Sequence, residues 1–194
     1  MRERASYATF PFSRTANPPN QCGMSCTRYL IALGSNRRHV RHGGPADVLN
    51  AAVEALEKAG MQVKRASGIH QTPALGPAGR DFANAVLLVE SDDAPARLLR
   101  RLKKIERSFG RRGGKRWGSR VLDLDIIMWS NGAWPDRLRW HSARSLVVPH
   151  RSMTERAFVL EPAAEIAPDW RHPITGLTVR QHLARLNRAR PMRI

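Results

Sequence analysis

Two aspartates in an otherwise apolar run are the residues of this sequence best suited to chemistry. Asp123 and Asp125 alternate with Leu122, Leu124 and Ile126. Because successive side chains of a β-strand point to opposite faces, the two carboxylates are expected on one face. Neighbouring like charges repel each other, and magnesium, which prefers a few carboxylates together with water and phosphate oxygens, removes that repulsion. The pair therefore predicts a magnesium site, with a solvated polar face on an edge strand as the structural alternative.

A basic, glycine-containing segment lies immediately before this strand. It spans residues 110–120 and carries the basic side chains Arg111, Arg112, Lys115, Arg116 and Arg120. Arginine binds phosphate oxygens in a bidentate manner, and glycine permits a loop to close over a substrate. The residue after Lys115 is arginine rather than Ser or Thr, so the segment is not a Walker A loop. Arginines beside a predicted magnesium site indicate an enzyme that acts on a nucleotide phosphate.

The charge of the chain leaves a second function class open. The 194 residues include 33 basic and 16 acidic side chains, for a formal net charge of +17. This balance is also typical of a basic α+β module that binds nucleic acid without catalysis. Only five of the 33 basic residues are lysine, however, and the arginines are spread along the whole chain. We therefore expect an anionic small substrate and no nucleic-acid partner.

Cellular location follows from two further features of the composition. No apolar run approaches the roughly 18 residues that span a bilayer, so we expect no membrane association. The only cysteines are Cys22 and Cys26, which is typical of a protein of the reducing cytoplasm.

The elements that must position the site follow an α+β pattern. Residues 1–26 lack periodicity and are predicted to be a disordered extension of a single domain at 27–194. The remaining predictions are strands at 29–33, 61–71, 82–90 and 121–129, helices at 45–59, about 92–109 and about 154–164, a short edge strand at 147–149 and a less regular C-terminal part. The order strand, helix, strand, strand, helix, strand predicts a ferredoxin-like α/β sandwich, a mainly antiparallel sheet with helices packed on it.

The segment at 116–126, RWGSRVLDLDI, resembles the signature of the 6-hydroxymethyl-7,8-dihydropterin pyrophosphokinase family of folate biosynthesis. Other segments agree in order and spacing, namely ALGSN at 32–36, QTPALGP at 71–77, FANA at 82–85 and VPH at 148–150. The resemblance covers roughly residues 28–185. It implies a monomeric enzyme whose partners are ATP and 6-hydroxymethyl-7,8-dihydropterin, and which transfers pyrophosphate from Mg-ATP to the pterin hydroxymethyl group, with AMP as the second product. A scaffold that has lost catalysis is the third possibility, and the intact carboxylates and arginines argue against it.

The resemblance also implies roles for individual residues. Asp123 and Asp125 would bind two magnesium ions that bridge the ATP phosphates, and Arg116 and Arg120 would assist the transfer. The implied ATP contacts are Glu106, Arg111, Arg112, Trp117, Ile126, His150 and Arg156. The implied pterin contacts are Thr72, Pro73, Leu75, Phe82, Asn84 and Phe158. Among these, the two phenylalanines would stack on the ring and Asn84 would read its polar edge. Lys103 departs from the family, in which an amide is expected at that position.

Overall fold

The computed structural model describes residues 27–72, 81–110 and 121–189. Within these ranges the strands are β1 (Thr27–Ser35), β2 (Gln62–Ala66), β3 (His70–Thr72), β4 (Phe82–Ser91) and β5 (Asp123–Trp129). The helices are α1 (Pro45–Lys58), α2 (Pro95–Ser108), α3 (Ala157–Ile166) and α4 (Val179–Ala189), and a 3-10 turn spans Met153–Glu155. None of the described helices is long and apolar enough to cross a membrane.

The strands form one antiparallel sheet in the order β2-β4-β1-β5, and β3 extends the β2 edge by pairing with β4. The central strands β1 and β4 are the longest and most apolar, as expected for strands that are covered on both faces. Helices pack on both sides of this sheet. The predicted α+β sandwich is confirmed.

Alternation along β1 divides the sheet between two cores. Tyr29, Ile31 and Leu33 are buried in a cluster with residues of α1 and α2. Leu30 points to the opposite face and is buried in a second cluster with residues of α3 and α4. The second cluster covers only part of its face, and the uncovered end of that face carries the polar residues described below.

Local signals explain where α1 and α2 begin and end. Pro45 and Pro95 each occupy the first turn, where the missing N–H costs nothing. The carboxylate of Asp47 accepts the N–H of Gly44 at 2.9 Å and so closes the start of α1. Gly60, with φ of 80°, follows the end of α1 in the left-handed conformation that favours glycine.

Four expectations about the elements are corrected. The strand predicted at 61–71 is divided into β2 and β3, with Ser67–Ile69 between them. The edge strand predicted at 147–149 is absent, since Val148 forms only an isolated bridge with Trp134. The helix predicted at 154–164 begins at Ala157, after the 3-10 turn, and the C-terminal part contains the regular helix α4.

Candidate active site

The two aspartates of β5 share one face of the sheet, as predicted. Both are partly exposed, whereas Leu124 between them is fully buried on the other face. In the cross-strand register Asp123 lies opposite Gly34 and Asp125 lies opposite Ala32 of β1. The carboxylates therefore stand beside the smallest side chains of the central strand, which leaves space above the sheet.

A polar row crosses the sheet at this point. His70 of β3 pairs with Asn84 of β4, Asn84 pairs with Gly34 of β1, and Gly34 pairs with Asp123 of β5. Only Gly34 separates Asn84 from Asp123. With strands about 4.8 Å apart, the backbones of Asn84 and Asp123 are roughly 10 Å apart. The row thus holds an amide and a carboxylate at a spacing that accommodates a small substrate between them.

The amide of Asn84 is fixed by the fold. The side chain is 6% exposed, and its Nδ2 donates to Oγ1 of Thr72 at 2.8 Å. Because this bond fixes the orientation of the amide, Oδ1 lies on the side of Gly34, where a Cβ added to the glycine would be 3.4 Å away. Phe82 is two residues before Asn84 on β4, is partly exposed and shares its face.

The start of helix α3 packs on the same face of the sheet as the polar row. Phe158 lies in the first turn of α3 and is partly exposed. The guanidinium carbon of Arg156, the residue before the helix, lies 5.7 Å from the centre of the Phe158 ring, within the range of a cation–π contact. An aromatic ring and a cation therefore lie together at the start of α3.

His150 connects this segment to the aspartates. Its main-chain N–H donates to the carbonyl of Ile127 at 3.0 Å, which holds it against β5. Burial lowers the pKa of the ring, opposed by Asp125 and Asp123 and assisted by Arg156 and Lys103. Nδ1 accepts the N–H of Ser152 at 3.2 Å, so a neutral ring carries its proton on Nε2. His150 is therefore set to donate one hydrogen bond rather than to accept a proton.

Two residues implied as ATP contacts have buried side chains. Ile126 is 2% exposed and belongs to the core beneath the sheet, so only its main chain can reach a nucleotide. Glu106 is fully buried, and its Oε1 accepts the N–H of Leu124 at 2.7 Å and an N–H of Lys103 at 2.6 Å. Glu106 thus holds the strand that bears the aspartates, and its direct contact with ATP stays a prediction.

Several predicted site residues lie outside the described residues. They are Pro73, Leu75, Arg111, Arg112, Arg116, Trp117 and Arg120. The predicted extension at 1–26 also lies outside them. The described residues therefore include the part of the predicted site that is formed by the sheet, the start of α3 and His150.

The structure adds three features that sequence reasoning did not assign to the site. Gly34 and Ala32 form its floor between the amide and the carboxylates. The ammonium of Lys103 lies 3.6 Å from Oδ1 of Asp125. His70 is held by Glu165 of α3 at 2.6 Å and thereby joins β3 to the helix that carries Phe158. The sequence signal for the floor was the ALGSN segment at 32–36, which supplies the small residues Ala32 and Gly34 near the end of β1.

The carboxylate pair fits a magnesium ion that shares its ligands with a substrate. Within the three described ranges, no three His, Cys, Asp or Glu side chains are grouped closely enough to hold a metal ion. Two carboxylates are present, and their oxygens are the hard ligands that magnesium prefers. Water and phosphate oxygens would then complete the coordination, as in phosphoryl-transfer sites.

Comparison with known proteins agrees with this geometry. The family model described as 7,8-dihydro-6-hydroxymethylpterin-pyrophosphokinase (HPPK) matches residues 30–168. A 2-amino-4-hydroxy-6-hydroxymethyldihydropteridine pyrophosphokinase of Methylorubrum extorquens is 39% identical over 163 residues, which are 83% of this chain and 94% of that protein. The Synechocystis protein of the same name is 35% identical over 164 residues, 84% of this chain and 78% of the relative.

The fold also resembles a solved structure of a larger protein. The crystal structure of wild-type Plasmodium falciparum HPPK-DHPS superimposes with a TM-score of 0.59 at 12% identity, over 83% of this chain and 41% of that one. The chain therefore spans less than half the length of the solved protein. At this identity the likeness concerns the fold alone.

Proposed function

The chain belongs to the 7,8-dihydro-6-hydroxymethylpterin-pyrophosphokinase family, and we propose that Asp123 and Asp125 hold its magnesium-bound ATP while Asn84, Phe82 and Phe158 hold its pterin. The enzyme transfers pyrophosphate from ATP to the hydroxymethyl group of 6-hydroxymethyl-7,8-dihydropterin in folate synthesis. The hydroxymethyl oxygen forms a bond to the β-phosphorus and releases its proton to water, and the bond from that phosphorus to the oxygen retained by AMP breaks.

The polar row across β4, β1 and β5 carries this proposal. Asn84 at one end offers an amide donor and acceptor, which matches the mixed polar edge of a pterin. Asp123 at the other end offers a carboxylate for a phosphate-bound cation. Since only Gly34 lies between them, a pterin on Asn84 would direct its substituent towards the phosphates. Positioning of this kind supplies much of the rate in phosphoryl-type transfer.

Charge at the carboxylate end would be balanced by several groups. Magnesium, when bound, would neutralise charge that develops on the phosphate oxygens. His150 would donate its Nε2–H to a phosphate oxygen, because its lowered pKa keeps the ring neutral and Ser152 occupies the other nitrogen. The Arg156 guanidinium lies over the ring of Phe158 and would add positive charge beside the predicted pterin stack.

The proposal extends to features that are expected from the sequence. Arg116 and Arg120 would assist the transfer, and Arg111, Arg112 and Trp117 would contact ATP, from a segment outside the described residues. Pro73 and Leu75, which also lie outside the described residues, would line the pterin site. Two magnesium ions, a monomeric enzyme and a cytoplasmic location complete the proposal. Light scattering on the purified protein checks the monomer.

Release of AMP from ATP, magnesium and the hydroxymethyl pterin tests the carboxylate assignment. D123N and D125N should each lower turnover at least about 100-fold, because a charged ligand to the phosphate-bound cation is lost. The dissociation constant of the pterin should change less than about twofold, since the amide end of the row is intact. Asp92 is exposed on the loop before α2, so D92N is a matched control and should behave like the wild type.

Two results would contradict the proposal. Wild-type turnover in D123N and D125N would show that catalysis does not require these carboxylates. Salt-dependent binding of oligonucleotides by a wild type that releases no AMP would favour the nucleic-acid-binding alternative instead.

A further inference from the structure

Lys103 lies at the centre of a cluster that joins helix α2 to strand β5. Its ammonium donates to Oε1 of Glu106 at 2.6 Å and to the carbonyl of Leu124 at 3.0 Å. It also lies 3.6 Å from Oδ1 of Asp125. An ammonium has three N–H donors; two of them make these hydrogen bonds, and Asp125 is a charge partner just beyond hydrogen-bond distance.

The fold, rather than Asp125 alone, holds Lys103 in place. β5 is the last strand of the described sheet, and the N–H and carbonyl of Leu124 on its outer edge bond to Glu106 and Lys103 instead of to another strand. Glu106 is fully buried, and a buried carboxylate is stable only when it is paired and hydrogen-bonded. Removing the ammonium from this position would leave Glu106 without that partner.

The position of Lys103 has a consequence for cation binding. The side chains of Lys103 and Asp125 are 32% and 34% exposed, so water does not fully screen their interaction. A divalent cation bound to Asp125 would lie close to the ammonium and be repelled by it. We propose that Lys103 is a resident counter-charge that weakens the binding of free divalent cations to Asp123 and Asp125. The site then depends on the phosphates of the nucleotide for tight metal binding.

This inference rests on the proposed function in one respect, because it takes Asp123 and Asp125 as the metal ligands. It assigns Lys103 an electrostatic role that applies to the enzyme both with and without nucleotide. Its test therefore uses metal binding without nucleotide, with Mn²⁺ as a spectroscopic probe in place of magnesium.

The experiment measures the Kd of Mn²⁺ by electron paramagnetic resonance in the absence of ATP. K103Q and K103M should bind Mn²⁺ about tenfold more tightly than the wild type. A neighbouring charge changes the affinity of a carboxylate for a cation by about tenfold or more. The lower end applies because Lys103 and Asp125 are each about one-third exposed. K103R retains the charge and should stay within about twofold of the wild type. Lys104 is exposed on the same helix, so K104Q is the matched control and should also be unchanged.

Thermal unfolding with and without Mn²⁺ supplies a second readout. Because tighter binding to the native state raises its stability, Mn²⁺ should raise the Tm of K103Q more than that of the wild type. If K103M fails to fold because Glu106 loses its ammonium partner, the double variant K103Q/E106Q removes both charges and keeps an amide oxygen for the N–H of Leu124. It should bind Mn²⁺ more tightly than E106Q, which retains the ammonium of Lys103.

Different results contradict the inference and the proposed function. An unchanged or larger Kd for Mn²⁺ in folded K103Q, with binding that still depends on Asp125, overturns the counter-charge role. Binding of Mn²⁺ that D125N leaves unchanged, with or without ATP, overturns the assignment of the metal ligands instead.

Discussion

Replacing Gly34 with alanine should stabilise the fold and weaken pterin binding. The φ angle of Gly34 is outside the left-handed region, and the nearest atom to an added Cβ is Oδ1 of Asn84 at 3.4 Å. Alanine therefore fits the backbone, and it should add about 0.5–1 kcal/mol to the free energy of unfolding, the usual cost of glycine inside a strand. The same methyl group touches Oδ1 of Asn84, while Nδ2 of this amide donates to Oγ1 of Thr72. Blocking one hydrogen bond costs about 0.5–1.5 kcal/mol, or roughly a 2- to 13-fold rise in the pterin Kd.

Fluorescence titration of the pterin and urea unfolding measure the two effects separately. Gly44 has an ordinary φ of −76° and lies at the start of α1, outside the polar row. G44A is therefore the matched control, and its pterin Kd should equal that of the wild type. G34V places a larger side chain between Asn84 and Asp123 and should weaken pterin binding more than G34A. Wild-type pterin affinity in folded G34V would refute the argument that Gly34 forms the floor of the site.

Two further predictions concern histidines. Burial, assisted by His182, lowers the pKa of His172 from 6.5 to about 4. The unfolded chain therefore binds the proton first, and the free energy of unfolding should fall by up to roughly 3 kcal/mol as the pH drops from 6.5 to 4. H172N keeps an acceptor for the N–H groups of Ile174 and Thr175 and should lessen this dependence in urea unfolding at pH 7 and 4.5. An undiminished dependence would contradict the assignment. H70Q loses the 2.6 Å contact with Glu165 that joins β3 to α3, and should raise the KM of the pterin several-fold with little change for ATP. Equal effects on both substrates would argue against a pterin-specific role.

Periodicity in the sequence predicted most of the fold, and its failures have physical causes. α1, α2 and the strands other than β2 and β3 carry apolar residues at the spacing of their element, so burial and pattern agree. The run at 147–149 is apolar and resembles a strand, but Pro149 has no N–H for a ladder, and Val148 is paired only with Trp134.

Helix α4 was missed because it is rich in arginine and buries only Val179 and His182 among its residues. A signal for its start was nevertheless present. The N–H of Gln181 donates to Oγ1 of Thr178, and the N–H of Thr178 donates to Oε1 of Gln181, which is the reciprocal arrangement of a capping box. Capping chemistry, rather than hydrophobicity, would have found this helix.

The site itself depends on register, which local sequence does not contain. The face shared by Asp123 and Asp125 follows from alternation alone. Their distance from Asn84 depends on which residues of β1 pair with β4 and β5. Lys103 and Glu106 are three residues apart on α2, which ordinarily indicates an exposed helix pair. Only the packing of α2 under the edge of β5 buries Glu106 and directs Lys103 to Leu124.

The face of β1 opposite α1 and α2 explains how one sheet surface serves as both core and site. Along this face the side chains shrink from Leu30 to Ala32 to Gly34. Leu30 is fully buried under α3 and α4, Ala32 lies opposite Asp125, and Gly34 lies between Asn84 and Asp123. The loss of volume along three alternate residues opens the space that the helices would otherwise fill. Truncation of Leu30 should therefore reduce stability by the several kcal/mol of a buried leucine, whereas enlargement of Gly34 acts on substrate binding. Ala32 lies between these two regions, because it packs against the second core and is paired with Asp125. A substitution at Ala32 should therefore affect both stability and the carboxylate site.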